Sequence, residues 1–371
     1  MEDSYVLDHS IFETVTGSQA YGTSTPESDT DRTGVMVPGP DYTMGLQSDF
    51  GEFGFESVDR KFYCIHKFLS LALENNPNIL DLLWTPERCI QYMRPCWSYL
   101  LDSIRDHILS KRCRYTYGSY AIGQLRRISV HRKFLLNPPK SAPTRTEFGL
   151  PEESLFPTSQ LKAVCYAAIQ AIPNHNRTDF FKRLDEIYGD WVIPLFARYL
   201  DPKQRVLAMD WLQKGIRSQA HALQALGTKF LKDEYADMAA KEVLYLNRMQ
   251  EWKQYDSWKK HRNKKRAALE EKYGYDSKHA MHLIRILRMG AEILEQGKVN
   301  VDRTDIDAEE LKAIRDGAWS YDKVEAYANY MSGQLEELSK GSNLPMYPDP
   351  EVVNSASIIV HKEFYRKLGY V

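Results

Sequence analysis

Cysteine is scarce and scattered. The five in 371 residues, Cys64, Cys89, Cys96, Cys113 and Cys165, are odd in number and form no Cys-x-x-Cys pair. That argues against a disulfide framework or a zinc knuckle and suits a reducing cytosol. No run of about 18 apolar residues occurs, so no membrane span is expected. The opening Met1-Glu2-Asp3 lacks the basic-then-apolar layout of a signal peptide. Net charge is nearly absent, at −1. A deficit of aromatics would point to disorder, but 23 Tyr and 7 Trp point the other way.

The near-zero charge hides a pattern. Residues 1–60 carry twelve acidic and two basic residues, residues 111–145 nine basic and no acidic, and residues 251–288 eleven basic and five acidic. Such asymmetry suggests an acidic, metal-binding end and basic segments facing a polyanion. Pairing of the basic faces with the acidic end inside the fold would produce the same pattern.

The densest signal is Gly17-Ser18-Gln19-Ala20-Tyr21-Gly22 followed by Ser28-Asp29-Thr30-Asp31. Gly17 lets the backbone approach a ligand closely. A short helix over Gln19 to Gly22 would present free N–H groups to a phosphate. The next strand is expected over Thr30 to Val37, ended by Pro38-Gly39-Pro40. Asp29 and Asp31 are two apart and share a face if extended. Two carboxylates beside a phosphate site make a natural Mg²⁺ platform. Ser-Asp-Thr-Asp taken alone is also an ordinary turn or cap sequence.

Gly-Ser, a spacer and Ser-Asp-x-Asp-x-x-Gly resemble the signature of the DNA polymerase β-type nucleotidyltransferase superfamily. The tract Lys67-Phe68-Leu69, Asn76-Pro77-Asn78, Asp81-Leu82-Leu83 is similar to its RNA-repair-associated subfamily, many of whose members are phage or bacterial. So is Tyr275-Asp276-x-Lys278-His279-Ala280-x-His282-Leu283-x-Arg285. The resemblance implies an α+β fold, with a pol β-type core (a mixed sheet with helices) in residues 1–95 and a mainly α-helical region over 96–371. It implies a third metal carboxylate on a later strand. Asp59 in Ser57-Val58-Asp59 is the match, although Arg60 stands where the pattern has an apolar residue, and Asp49 and Asp81 are the alternatives. Asp29, Asp31 and Asp59 would then be catalytic and hold two Mg²⁺ ions, with Mn²⁺ able to serve. Gly17, Ser18 and Ser28 would bind the NTP. The compartment implied is the cytoplasm of a bacterial or phage-infected cell.

The rest of the chain reads as helices. Ile65, Phe68, Leu69, Ala72 and Leu73 have helical spacing, and Asn75-Asn76-Pro77-Asn78 breaks that helix. Residues 97–136 are expected to be helical with a break at Tyr117-Gly118-Ser119-Tyr120. There arginines alternate with aromatics, and Arg114, Tyr117, Arg126 and Arg127 are candidates to contact RNA, as is Arg262 further on. A Pro-rich surface loop spans 137–160. Leu161 to Ile172 and Val206 to Leu231 show helical periodicity in a span, 161–250, without a catalytic motif. Trp252, Tyr255 and Trp258 fall on one helix face. Asp276 or Ser277 caps a further helix, a basic one near 276–290 placed to face the active site. On it Lys278, His282 and Arg285 share a face as a triphosphate clamp. His279 and His282 are also a conceivable metal pair. Asp307 to Trp319, Asp322 to Leu338 and Glu351 to Tyr370 are expected as supporting helices.

The expected function is metal-dependent transfer of a nucleotide from an NTP to an acceptor hydroxyl, an RNA (tRNA-like or broken) end, with release of pyrophosphate. The alternatives are a small-molecule or protein acceptor, or a non-catalytic RNA- or nucleotide-binding protein on the same core.

Overall fold

The computed structural model describes residues 3–44, 50–55, 58–152 and 233–370. The chain divides into two compact units, Met1–Leu136 with Asn263–Val371, and Asn137–Arg262. The first unit holds the whole expected core together with helices from both ends of the expected helical region.

In the first unit, α1 (Asp3–Asp8) leads into β1 (Ser10–Val15), β2 (Arg32–Met36) and the single turn α2 (Pro40–Thr43). Strands β3 (Glu52–Gly54), β4 (Arg60–Cys64) and β5 (Ile90–Met93) complete a five-stranded sheet in the order β3-β4-β2-β1-β5. Among the described strands β2 and β4 pair in parallel, with Arg32 opposite Arg60 and Val35 opposite Tyr63, and the other pairs are antiparallel. The mixed α+β architecture expected from the resemblance is therefore present.

Alternation along the strands sends apolar residues to both faces. One face packs against α3 (Ile65–Leu73), α4 (Pro77–Leu83) and α5 (Pro95–Ile108), with Phe12 stacked on the fully buried Trp97 at 4.5 Å. The other face carries Val6, Met36 and Phe62 under Tyr5, Phe50, Phe53 and Phe55. Gly34 sits in mid-sheet beneath the Phe62 ring. A Cβ there would overlap that ring and stand 2.6 Å from the Phe12 carbonyl oxygen. Gly34→Ala is thus expected to cost about 1–3 kcal/mol by overpacking, read as a lowered urea midpoint at unchanged slope.

Helix α3 stops where expected. Asn75 takes φ +54°, its amide donates to Ala72 O and Ile108 O, and Ser110 Oγ donates to its Oδ1 at 2.5 Å. Asn76 then caps α4 through Asn78 N–H. The expected break at 117–120 is absent. The helical run instead parts at residues 109–112, between α5 and α6 (Cys113–Leu136), where Leu109 turns extended. Tyr117 and Gly118 are buried inside α6, and the Tyr117 ring lies in the space left by Gly290. Tertiary packing there outweighs the local cost of glycine in a helix.

Completing the fold, α8 (Lys264–Tyr273), α9 (Ser277–Gln296), α10 (Ala308–Arg315), α11 (Tyr321–Gly341) and α12 (Pro350–Leu368) belong to the first unit. Asp276 is the N-cap of α9, accepting from His279 N–H at 2.9 Å. α9 is the hub of the helical part and packs on α6, α10 and α11. No described helix is long and apolar enough to cross a membrane.

The second unit contains α7 (Asp233–His261). Trp252, Tyr255 and Trp258 do fall on one face, with successive ring centroids 5.7 and 5.9 Å apart, and Arg262 lies 4.7 Å over Trp258. Arg145 grips Glu242 with two bonds of 2.6 Å. The helices expected over 161–172 and 206–231, Cys165 and the alternative carboxylate Asp49 lie outside the described residues.

Candidate active site

Parallel pairing places two carboxylates side by side. Asp31 precedes β2 and Asp59 precedes β4, and Arg32 N–H donates to Asp59 O at 2.9 Å. The two side chains meet in a hydrogen bond. Asp31 is half-buried and pushed up to about 6, first by burial and then by the bond and charge of Asp59, with Asp29 adding and Lys278 opposing. Asp29, two residues earlier, is exposed. A carboxylate held above its ordinary range by burial and by neighbouring carboxylates is short of positive charge, which a hard divalent cation would supply. The chemistry of Asp29, Asp31 and Asp59 suits such a cation, although the described residues whose ligand atoms all lie within 4.8 Å of one another are His131, Glu270 and Asp276.

The 17–22 turn lies against them. Thr16 N–H donates to Asp31 O at 2.9 Å, and Gly17 has φ +68°, with a Cβ there only 2.7 Å from Asp31 Oδ2. Glycine is required on both counts. The segment closes through Tyr21 N–H to Gly17 O (3.2 Å) and Thr23 N–H to Ser18 O (2.9 Å). It is a run of turns, correcting the expected helix over Gln19 to Gly22. Ser28 Oγ accepts from Thr25 N–H at 2.9 Å, so this side chain folds back on its own loop.

The turn is clamped from outside by residues that sequence reasoning missed. Arg88 donates to Gln19 O (3.0 Å) and Ala20 O (3.2 Å) and pairs with Asp302 at 2.7 Å. Arg303 N–H donates to Tyr21 O at 3.2 Å. Tyr21 Oη donates to Asp81 Oδ2 at 2.5 Å, while the Arg285 guanidinium lies 3.5 Å over the Tyr21 ring and 3.5 Å from Asp81. Burial holds the Asp81 carboxyl above its usual range, against the pull of Arg285 and Tyr21. Asp81 is thus committed to this buried cluster.

The basic face of α9 divides. Lys278 is half-buried near the carboxylates. Burial, then Arg266 and Arg315, hold its ammonium below the ordinary lysine value, and Asp31 and Asp29 pull it back. His282 is held well below its usual value by burial, then by Arg285 and Lys278, so it is neutral at pH 7. Arg285 is buried and engaged with Tyr21 and Asp81. The expected clamp of three cations thereby reduces to Lys278.

Arg60 now has a reason. It is bonded twice to Glu13 on β1, at 2.7 and 2.6 Å, across the bare Gly34, and lies 5.0 Å over Phe55 and 5.3 Å over Phe62. The pair anchors the strand that begins just after Asp59. The RNA-contact candidates separate too. Tyr117 is fully buried and cannot stack on a base; Arg114 is tied to Glu336 at 2.6 Å and lies over Tyr115; Arg126 and Arg127 are exposed.

A second acidic group lies at the head of α9. Ligand atoms of His131, Glu270 and Asp276 lie within 4.8 Å of one another. The Asp276 carboxylate is already engaged by His279, through N–H at 2.9 Å and Nδ1 at 2.5 Å, and Arg266 Nη1 donates to His279 Nε2 at 3.1 Å. Both ring nitrogens of His279 are spoken for, so it does not pair with His282 around a metal. Burial raises Asp276, but the bonds from His279 win and hold it below its ordinary value. A depressed carboxylate contributes stability that is present above the unfolded value and lost as pH falls through the folded one. Asp276→Asn is expected to flatten the acid limb below about pH 4, seen in urea midpoints measured from neutral to acid pH.

Sequence comparison agrees with the resemblance in this region. Its residues 7–137 match a family model described as RlaP, RNA repair pathway DNA polymerase beta family. The match takes in Gly17, Asp29, Asp31 and Asp59 and supports a nucleotidyltransferase-like role. The chain is also similar to a protein of Enterobacteria phage T4 described as "Uncharacterized 38.9 kDa protein in nrdC-mobD intergenic region", with 29% identity over 99 residues. That similarity covers 24% of this chain and 30% of the phage protein's length. No solved structure matches.

Proposed function

We propose that the protein is a metal-dependent nucleotidyltransferase that moves a nucleotide from an NTP to a hydroxyl at an RNA end and releases pyrophosphate. The observation that carries this is the meeting of Asp31 and Asp59 at the paired ends of β2 and β4, with Gly17 against Asp31 and Lys278 opposite.

Asp29, Asp31 and Asp59 would hold Mg²⁺, or Mn²⁺ in its place, which when bound supplies charge neutralisation and a more acidic attacking hydroxyl. The chain's own part is positional and electrostatic. The bare Gly17 lets phosphate oxygens come close to backbone N–H groups beside Ser18. Lys278 neutralises charge as it builds on the leaving pyrophosphate. Asp59, just before β4, would accept the proton of the acceptor hydroxyl. Arg126 and Arg127, exposed on α6, give the RNA phosphates a surface. This reading places the protein in the cytoplasm of a bacterial or phage-infected cell.

The test is incubation with Mg²⁺, total RNA and each α-labelled NTP in turn, beside an Asp29→Ala/Asp31→Ala double variant. Label carried into RNA by the wild type and lost in the variant is the expected result, and it names the base. Label entering protein or small molecules contradicts the RNA acceptor. Label entering nothing contradicts transfer.

A further inference from the structure

Many arginines of the first unit have acidic partners. Arg60 pairs with Glu13, Arg88 with Asp302, Arg288 with Asp307 and Glu310, and Arg303 with Glu292 and Asp307. Three cations at the head of α9 differ. Ser277 Oγ donates to Arg315 O at 2.6 Å, which docks the end of α10 on the first turn of α9. Arg266 Nη1 donates to His279 Nε2 at 3.1 Å, which docks α8 on the same turn. Lys278 lies between those two anchor points. Among the described residues, none of Arg266, Lys278 and Arg315 has a carboxylate within ion-pair distance.

All three are half-buried rather than splayed into solvent. They are close enough that the two arginines hold the Lys278 ammonium below its ordinary value, after burial itself. Like charges brought together by three separate helices repel one another. The buried Asp276 feels the charge of Arg266, but its oxygens are bonded to His279 and it forms no ion pair with any of the three cations. Lys278 is also the cation whose charge reaches Asp31 and Asp29, so the cluster borders the three aspartates.

We propose that Arg266, Lys278 and Arg315 form a binding site for a phosphoryl dianion of the substrate, bordering the metal carboxylates. Two planar guanidinium forks and one ammonium match the oxygens of a terminal phosphate, which accepts paired N–H donors. The site rests on the transferase reading for its place in a reaction but not for its chemistry. His282 and Arg285 have no part in it. Two sources carry this group, the terminal phosphates of the NTP and a phosphate at the end of the acceptor RNA.

The test is direct binding without turnover, on wild type, Arg266→Gln, Arg315→Gln and the double variant, each first shown to melt within a few degrees of wild type. Inorganic tripolyphosphate and ATP probe the nucleotide source, with adenosine as the control lacking phosphate. A short RNA bearing a terminal phosphate probes the other source, against the same RNA with hydroxyl ends. Each single variant is expected to weaken the phosphate-bearing ligand about tenfold and the double variant more, with adenosine and hydroxyl-ended RNA unchanged. Loss confined to tripolyphosphate and ATP assigns the site to the NTP, and loss confined to phosphorylated RNA assigns it to the acceptor. Unchanged affinity for both in the double variant overturns the site. A protein that binds phosphate through these residues yet transfers no nucleotide overturns the transferase reading instead, so the two failures are distinct.

Discussion

Asp31→Asn is expected to lower nucleotide transfer about a thousandfold while melting no lower than the wild type. The two halves of this result have one cause. Asp31 is pushed up to about 6 by burial and by Asp59, whose side chain it touches. For a carboxylate raised above its unfolded value, stability is fully present at low pH and is lost as pH rises through the folded value. The metal-free wild type therefore loses stability between about pH 4 and about pH 6, and the asparagine variant does not. At pH 7 the variant melts at or above the wild type. Near pH 4 the gap closes. A variant that melts several degrees lower at pH 7, or one that keeps most of its transfer activity, contradicts the site. Calorimetric melting and initial rates with the preferred NTP make the measurement.

The largest effect on stability is expected at Arg303. Its side chain is 1% exposed and holds Glu292 through Nη1 (2.7 Å) and Nη2 (2.8 Å) and Asp307 through Nε (2.7 Å). Removing it leaves carboxylates facing one another without their cation. Asp307 keeps Arg288 at 2.9 Å, but Glu292 keeps only the neutral Asn300 amide at 3.0 Å among its described partners. Breaking a buried pair from one side costs about 3–5 kcal/mol, so Arg303→Met is expected to lose that much, read from urea unfolding. Glu292→Gln, which retains a hydrogen-bonding shape, is expected to cost less. The backbone N–H of residue 303 that holds Tyr21 O beside the Gly17 turn survives the substitution, but its segment loses the side-chain anchor, so a methionine variant that still folds should show a raised KM for the NTP. A loss below about 1 kcal/mol would mean that the ion pair is not closed as described.

How much of this could be read from sequence depends on how local each cause is. The need for glycine at 17 beside Asp31 was legible because a turn and a strand end lie within fifteen residues of each other. Asp59 was singled out only through resemblance, and the parallel pairing of β2 with β4 is what brings it beside Asp31. Arg60 was opaque. Its partner Glu13 lies on β1, with the whole of β2 between them. The face of α9 failed differently. Spacing of four and three showed that Lys278, His282 and Arg285 share a face, but periodicity does not say what a face meets. Arg285 meets Tyr21 and the buried Asp81, and His282 is too enclosed to hold a proton at neutral pH. Arg266 and Arg315 were invisible as partners of Lys278 because three helices have to dock before they approach it. The misplaced break at Tyr117-Gly118 has the same origin, since the space for that tyrosine is made by Gly290 on α9.

The most direct test of the central claim is anomalous diffraction from crystals grown with Mn²⁺ and an NTP analogue that cannot be cleaved at the α-phosphate. The account predicts manganese between Asp29, Asp31 and Asp59, with the triphosphate running from the Gly17 turn toward Lys278. Manganese at His131, Glu270 and Asp276 alone, or nucleotide bound away from the ends of β2 and β4, would contradict it.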